Sequence, residues 1–405
     1  MKTSPVPFET FYAEPSRNGV YKPAEFRGRG VPMVNMGELF GYEFIGTQDM
    51  ERIELSVAEL ERAGLQEGDL LFGRRSVVEA GAGKCALVVD PPEALTFESS
   101  IIRVRLRRDK ANPRFFHYYF ASPRGRGLVR TIVSGAAVKG IRGSDLSQLK
   151  VTIPALPVQE RLAAVLKSYD DLIENNRRRM ALLEEGARQL YREWFVRLRF
   201  PGHEHTRITN GVPEGWDKTT AFFAMEILSG VTPKTTVSDY WDGDIPFYTP
   251  KDATDAPYVL RTERSITELG LKNCNSRLYD NDTVFISARG TVGKLNLAGR
   301  PMAMSQSCYA LVGRGHVSQL FLFCALKEAI EHFRQHAVGA VFDAIVVDTF
   351  RLIPFAVPDE KMIRLFQDAA APMFRQIANL MEQEDRLRVA RDLLLPRLMS
   401  GEIAV

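Results

Sequence analysis

Residues 101–150 hold twelve cationic side chains (Arg103, Arg105, Arg107, Arg108, Lys110, Arg114, Arg124, Arg126, Arg130, Lys139, Arg142 and Lys150) against Asp109 and Asp145, a local excess of +10. Such a field attracts polyanions, nucleic acid being the commonest. A solvated, strongly charged sheet face is the competing reading. Catalytic patterns fail in turn. Gly81-Ala82-Gly83-Lys84 has the letters of a phosphate-binding loop, but Val78 stands where its first glycine belongs and Cys85 where Ser or Thr would hold magnesium. Asp90-Pro91-Pro92-Glu93 lacks the aromatic that an amino-methyltransferase stacks on its target base, and Pro358-Asp359-Glu360-Lys361 compresses a nuclease motif without its separating strand. The six histidines form no triad-like set, and the pair His332 and His336 has no third ligand nearby. Cys85, Cys274, Cys308 and Cys324 form no CxxC pair and read as buried free thiols. The chain is expected to perform no catalysis.

A chain of 405 residues exceeds what one core usually serves, and its 45% apolar and 25% charged content is ordinary for a globular protein. No stretch approaches the ~18 apolar residues of a membrane span. The start, MKTSPVPFETF, has no signal-peptide pattern, so the cytoplasm is the expected compartment.

The chain reads as a duplication. Ile153-Pro154 with Gln159-Glu160-Arg161-Leu162 matches Ile353-Pro354 with Asp359-Glu360-Lys361-Met362 at an offset of 200. Ser134-Gly135-Ala136 echoes Val338-Gly339-Ala340 at 204, Gly68–Phe72 echoes Asn281–Phe285 at 213, and Gly30–Met33 echoes Asp244–Phe247 at 214. Four weak matches in one order are a strong one together. In each half, short Val, Ile and Phe runs interleave with helical stretches such as Pro113–Ala121 and Ser318–Ala337, which predicts an α+β domain. Ile101–Leu106 alternates apolar and basic residues, as a strand with one buried and one wet face does.

A proline-punctuated turn then leads into long helices. From Val158 to Leu198 apolar residues recur at Val158, Leu162, Val165, Tyr169 and Leu172, then at Met180, Leu183, Ala187, Leu190 and Trp194. This is heptad spacing interrupted by one four-residue stutter across Asn176. A helix of about 40 residues would be roughly 60 Å long. The second copy runs from Met362 to Leu398 through Phe366, Ala369, Met373, Ile377, Leu380, Leu387 and Leu394, with Pro372 as a possible kink. Each stripe needs a partner, and antiparallel pairing of the two within the chain is the expectation. Two independent core helices are the alternative.

Further motifs identify a family. Ile153-Pro154, Pro157–Leu162, Asp171-Leu172-Ile173-Glu174-Asn175-Asn176, Leu190–Phe195 and Phe200-Pro201-Gly202 resemble the first central conserved region of Type I restriction–modification specificity subunits. Pro213-Glu214-Gly215-Trp216 looks like the opening of that family's second target-recognition domain, and Leu394–Ile403 is similar to its C-terminal conserved region. No Pro-x-Gly-Trp precedes the first domain. The resemblance implies target-recognition domains at residues 1–150 and 217–350, spacer helices at 151–200 and 351–405 and a linker at 201–216. It implies two recognition domains separated by an intramolecular antiparallel coiled coil with pseudo-two-fold repeat. Each domain would read one half of a bipartite, asymmetric site on double-stranded DNA, the helices setting the spacer. Two methyltransferase subunits would dock on the helices and restriction–translocation subunits would join them. S-adenosylmethionine, ATP and magnesium would belong to those partners and none to this chain, and no membrane is involved.

Within that reading the DNA-binding candidates are cations and amides in loops. Arg and Lys there suit phosphate clamping or bidentate reading of guanine, and amides suit adenine. In the first domain these are Arg74 and Arg75 after Leu70–Phe72, Lys84, Arg124 and Arg126 in Ser-Pro-Arg-Gly-Arg-Gly, and Lys139 and Arg142 about Gly140. In the second they are Ser287, Arg289, Thr291 and Lys294 after Val284–Ile286, Gln306 in Ser-Gln-Ser, and Lys251 in Thr-Pro-Lys-Asp. Ordinary surface charge, or core capping for Gln306, is the competing reading of each. Arg177, Arg178 and Arg179 read as a solvated helix face. Rival functions are a coiled-coil scaffold that binds protein and a divergent stand-alone DNA methyltransferase.

Overall fold

In a computed structural model the described residues are 4–77, 81–136, 138–274, 276–290, 292–336 and 345–403, with backbone alone at 331–336. Thr291, the echo Val338-Gly339-Ala340 and the side chains of His332 and His336 lie outside them. The fold is α+β, and the chain divides into two compact units: Met1–Leu172 with Leu387–Val405, and Ile173–Arg386. This division passes through both long helices rather than along the borders drawn from the sequence.

Each unit repeats one sheet plan. In the first, a five-stranded sheet runs Arg17–Asn18, Ile101–Val104, Leu70–Gly73, Cys85–Val88, Phe44–Ile45, antiparallel except for the last pair. In the second, the order is Met225–Ser229, Cys308–Gly313, Val284–Ser287, Leu295–Ala298, Tyr258–Val259, again with only the last pair parallel. A three-stranded sheet accompanies each, centred on Arg27–Val34 or on Trp241–Tyr248. Even the bulge repeats, with Ile53 opposite both Arg27 and Val31, and Ile266 opposite both Trp241 and Ile245. A bulge is a specified feature of a strand. Its recurrence makes the two units sister domains.

The backbone corrects one sequence match by a residue. Val88 N donates to Asp69 O at 2.9 Å, as Ala298 N donates to Thr283 O at 2.9 Å. The offset here is therefore 214, and Phe72 corresponds to Ile286 rather than to Phe285. A slip of one residue exchanges the two faces of a strand. Phe72 and Ile286 both face the cluster that includes the long helices, whereas Leu71 and Phe285 face the smaller cluster behind the sheet.

The long helices span Leu156–Tyr191, followed by a π-helical turn Arg192–Val196, and Glu360–Ser400. Pro372 and Pro396 lie within the second without ending it. Gln159, buried at the first helix's start, accepts from Asn112 N at 2.9 Å and donates to Pro154 O at 2.9 Å. At the second start Asp359 Oδ1 accepts from Met362 N at 2.9 Å, a capping bond.

The predicted stutter does not exist. Leu172 is half exposed, and the inward stripe reads Leu162, Leu166, Tyr169, Ile173, Asn176, Met180, Leu183, Ala187, Leu190 and Trp194, an unbroken 4-3 alternation. Asn176 is buried and carries the seam through the place where the apolar pattern lapses. In the first unit Leu162, Ala163 and Leu166 share a core with Leu398 and Met399, and Asp170 pairs with Arg391. In the second, Arg177 pairs with Glu384, and a Cβ on Gly186 would lie 3.8 Å from Met373 Sδ. Ascending numbers on one helix meet descending numbers on the other, so the pairing is antiparallel in both units. Burial of Phe366, Phe374 and Ile377 in the second core contributes about 1.5–3 kcal/mol per side chain.

Candidate nucleic-acid interface

In each unit the same strand end releases a loop that is closed in the same way. Gly73 N donates to Lys84 O at 2.9 Å and Gly83 N to Gly73 O at 2.7 Å. In the second unit Ser287 N donates to Lys294 O at 3.0 Å and Gly293 N to Ser287 O at 2.9 Å. Gly83 and Gly293 hold φ of +67° and +79°, the left-handed region that glycine enters without strain. The supports repeat too. Arg74 N reaches Ser100 O and Ile141 N reaches Arg74 O, at 2.8 and 3.0 Å; Ala288 N reaches Ser307 O and Ile345 N reaches Ala288 O, both at 2.9 Å. The Gly-Lys letters that suggested a phosphate loop are a hairpin closure, present twice.

The first unit gathers most of its candidates at this loop. Arg75-Ser76 forms a two-stranded antiparallel ribbon with Lys139-Gly140, so Arg75 and Lys139 share one small element. Arg75 is exposed and Lys139 half-buried. Arg74, half-buried, reaches Ser99 O at 3.4 Å. Arg126, from the helix Pro123–Arg130, extends toward the loop, with Nη2 at 3.4 Å from Ala82 O. Its burial, and the neighbouring Arg130, hold its pKa below the ordinary arginine value. Lys84 donates to Phe40 O at 2.5 Å, and its burial lowers its pKa against the opposing pull of Glu43. Arg126 and Lys84, both half-buried, thus bond within the chain, Arg126 to the loop and Lys84 from the loop to Phe40, which weighs against reading them as DNA contacts. Arg124 and Arg142 are exposed, Arg142 at the start of the helix Gly143–Ser147.

The second unit sorts differently. Arg289 is exposed at the loop tip, and a Cβ on the adjacent Gly290 would lie 3.6 Å from Pro250 Cβ, which sets this loop beside the one bearing Lys251. Lys251 is exposed and 3.6 Å from Glu263. Asp252, its neighbour, is spent on local structure, accepting from Thr249 N at 2.8 Å and Glu263 N at 2.7 Å. Ser287 is fully buried, and its hydroxyl accepts from Lys294 N at 3.0 Å. It shapes the loop and does not reach a base. Lys294 forms an ion pair with Asp255, so its charge is neutralised within the chain. Gln306 is exposed, with its amide oxygen on the Thr232 hydroxyl. Thr291 lies outside the described residues.

The basic block of residues 101–150 is less of a surface than its count implies. Arg103 is buried, pairs with Glu14 at 2.8 Å and donates to Gly64 O at 2.9 Å. Arg105 pairs with Asp69 at 2.7 Å and with Glu14 at 2.8 Å. Arg107 pairs with Asp109, and Arg108 donates to Glu67 O. The expected wet, basic strand face is therefore an internal ion-pair network. Glu14 and Asp69 lie 36 to 91 residues from Arg103 and Arg105, and Asp255 lies 39 from Lys294, so these pairings carry no signal in sequence. Among the described residues no group of three or more His, Cys, Asp or Glu side chains could hold a metal ion, and no helix is long and apolar enough to cross a membrane.

Comparison with known proteins agrees with this geometry. Residues 25–185 and 214–384 each match the family described as the Type I restriction modification DNA specificity domain. The Type I restriction enzyme MjaIX specificity subunit of Methanocaldococcus jannaschii is 23% identical over 396 residues, covering 94% of this chain and 88% of that protein. The HindI specificity subunit of Haemophilus influenzae is 19% identical over 437 residues, covering 92% and 94%. The crystal structure of the Type I restriction–modification S subunit from M. genitalium superposes with a TM-score of 0.55 at 15% identity, covering 97% of this chain and 95% of that one. With two matching domains over most of its length, and two sister units in its fold, the chain belongs to the Type I restriction–modification DNA specificity family.

Proposed function

We propose that this chain is the DNA-recognition subunit of a Type I restriction–modification complex, each unit reading one half of a bipartite target. The observation that carries the proposal is the duplicated loop. Gly73–Lys84 and Ser287–Lys294 are closed and supported by the same backbone bonds, and each projects cations beside exposed neighbours. Two equivalent readers with different side chains suit two unlike half-sites. Arg75, Lys139, Arg124 and Arg142 are the contacts assigned to the first half, and Arg289, Lys251 and Gln306 those assigned to the second.

The helices that join the units in sequence would set the number of base pairs between the half-sites and dock methyltransferase subunits, with restriction–translocation subunits completing the complex. S-adenosylmethionine, ATP and magnesium are assigned to those partners. The test is a gel shift on random-sequence duplexes, with the chain alone and with its cognate methyltransferase subunits, across a salt series. Binding that turns sequence-selective with the partners and weakens steeply with salt supports the proposal. Salt-insensitive retention favours the protein-binding scaffold. S-adenosylmethionine binding by the chain alone favours the methyltransferase reading.

A further inference from the structure

The ribbon in the first unit carries an exposed apolar tip that the cationic reading leaves unused. Lys139 lies opposite Ser76 and Gly140 opposite Arg75, and Val138 and Val77 are the residues next beyond that pairing on the two segments. Val77 is 82% exposed and Val138 50% exposed. Ser76 is buried, whereas Arg75 and Val77 on either side of it are exposed. Gly140 has no side chain; a Cβ there would meet Arg74 O at 2.8 Å and lie 3.8 Å from Arg75 Cγ. The space above Gly140 is thus left to the Arg75 side chain.

The ribbon is held firmly at its base. Gly140 exchanges bonds of 2.9 Å in both directions with Ser134, and Ile141 N donates to Arg74 O at 3.0 Å. Residues 73–77 and 138–142 contain no acidic side chain and three arginines and a lysine. A two-stranded ribbon fits the major groove, where apolar side chains meet the thymine 5-methyl and arginine meets guanine. Two exposed valines beside an exposed arginine have the chemistry of that groove floor, with anionic phosphate on either side.

We infer that the ribbon Arg75–Val77/Val138–Gly140 is a direct base reader: Val77 and Val138 recognise thymine through its 5-methyl group, and Arg75 recognises an adjacent guanine. This rests on the DNA-reading function proposed above and names the base chemistry of its first half-site. The readout is atomic, because uracil in place of thymine removes only the methyl group.

The complex of this chain with its methyltransferase subunits is used to select from two random duplex pools, one made with dTTP and one with dUTP. With the unaltered complex, thymine positions in one half-site are enriched from the dTTP pool and lose roughly fourfold in preference from the dUTP pool. The double variant Val77→Ala, Val138→Ala selects that half-site equally from both pools, and Arg75→Ala relaxes a guanine position beside it. The other half-site stays unchanged in every variant, which shows that the second unit and the complex are intact, and continued selection at the remaining positions of the first half-site shows that the altered domain is folded. Identical half-sites from the two pools with the unaltered complex overturn the inference while leaving DNA recognition standing. Failure to select any sequence overturns DNA recognition itself, and the inference with it. Weakened methyltransferase co-purification in the double variant, with both half-sites unchanged in the complex that still forms, assigns the valines to a protein contact and overturns it too.

Discussion

Arg391 Nη1 lies 2.7 Å from Asp170 Oδ1, an ion pair between residues 221 positions apart that joins the two long helices within the first unit. The pair is embedded. Arg391 is 13% exposed and Asp170 9%, Glu43 accepts from the same guanidinium at 2.7 Å, and the Tyr118 hydroxyl donates to Asp170. The cross-helix pair of the second unit, Arg177 with Glu384 at 2.9 Å, is open on the arginine side at 47% exposure.

That contrast sets a stability prediction. Arg391→Met strands the Asp170 carboxylate, whose pKa burial already raises, and is expected to cost about 3 kcal/mol, as breaking a buried pair does. Arg177→Ala is expected to cost under ~1 kcal/mol, as for a surface pair. Urea unfolding midpoints of the two variants check the difference; equal losses contradict it.

His117 gives a pH dependence of definite sign. It is buried, its Nδ1 has no hydrogen-bond partner, and burial pushes its pKa down to about 4, against the opposing pull of Glu43. The unfolded chain takes up a proton near pH 6.5 that the folded chain takes up only near 4, so stability falls as pH drops through that window. This histidine should account for roughly 2 kcal/mol between pH 7 and pH 5. Denaturant titrations at the two pH values, compared with His117→Phe, test this: the variant should lose that much less on acidification.

Two neighbours in the second unit separate reading from shaping. Arg289→Ala removes an exposed loop cation and is expected to weaken specific binding by about 1–3 kcal/mol, relaxing one base position in one half-site, with little change in unfolding. Ser287→Ala removes a buried hydroxyl that closes the loop and is expected to lower stability by about 1 kcal/mol first. Parallel gel-shift and thermal unfolding series distinguish the two effects. Equivalent phenotypes would contradict the assignment.

Gly83→Ala tests the closure itself. The substitution forces a side chain into a left-handed conformation, at about 1–2 kcal/mol, and its Cβ would come within 2.2 Å of Val129 Cγ1. Protease cutting within residues 74–83 should accelerate, and preference at the first half-site should fall while the second keeps its own. Unchanged cutting and unchanged selection contradict the role given to this loop.

The duplication, the α+β plan and the two long helices were legible because they are local or repetitive. A heptad stripe, a proline-marked helix start and a Gly-Lys hairpin closure each lie within a short window. The errors cluster where distant chain segments meet. The stutter came from reading Asn176 as a gap, when burial makes it a polar member of the seam. Phe72 and Phe285 match as letters but point to opposite faces, which only the sheet's hydrogen bonds reveal. Ser287 and Lys294 looked like readers because the sequence shows their types but not their partners.

By itself the sequence determined that there are two sister domains, where the long helices run, and which loops carry cations, because periodicity and turn chemistry act over a few residues. Tertiary structure alone decided which of those cations stay outward. Charge is neutralised by whichever carboxylate the fold brings within about 3 Å, and for Arg103, Arg105 and Lys294 that carboxylate is supplied by Glu14, Asp69 or Asp255, from remote stretches of chain.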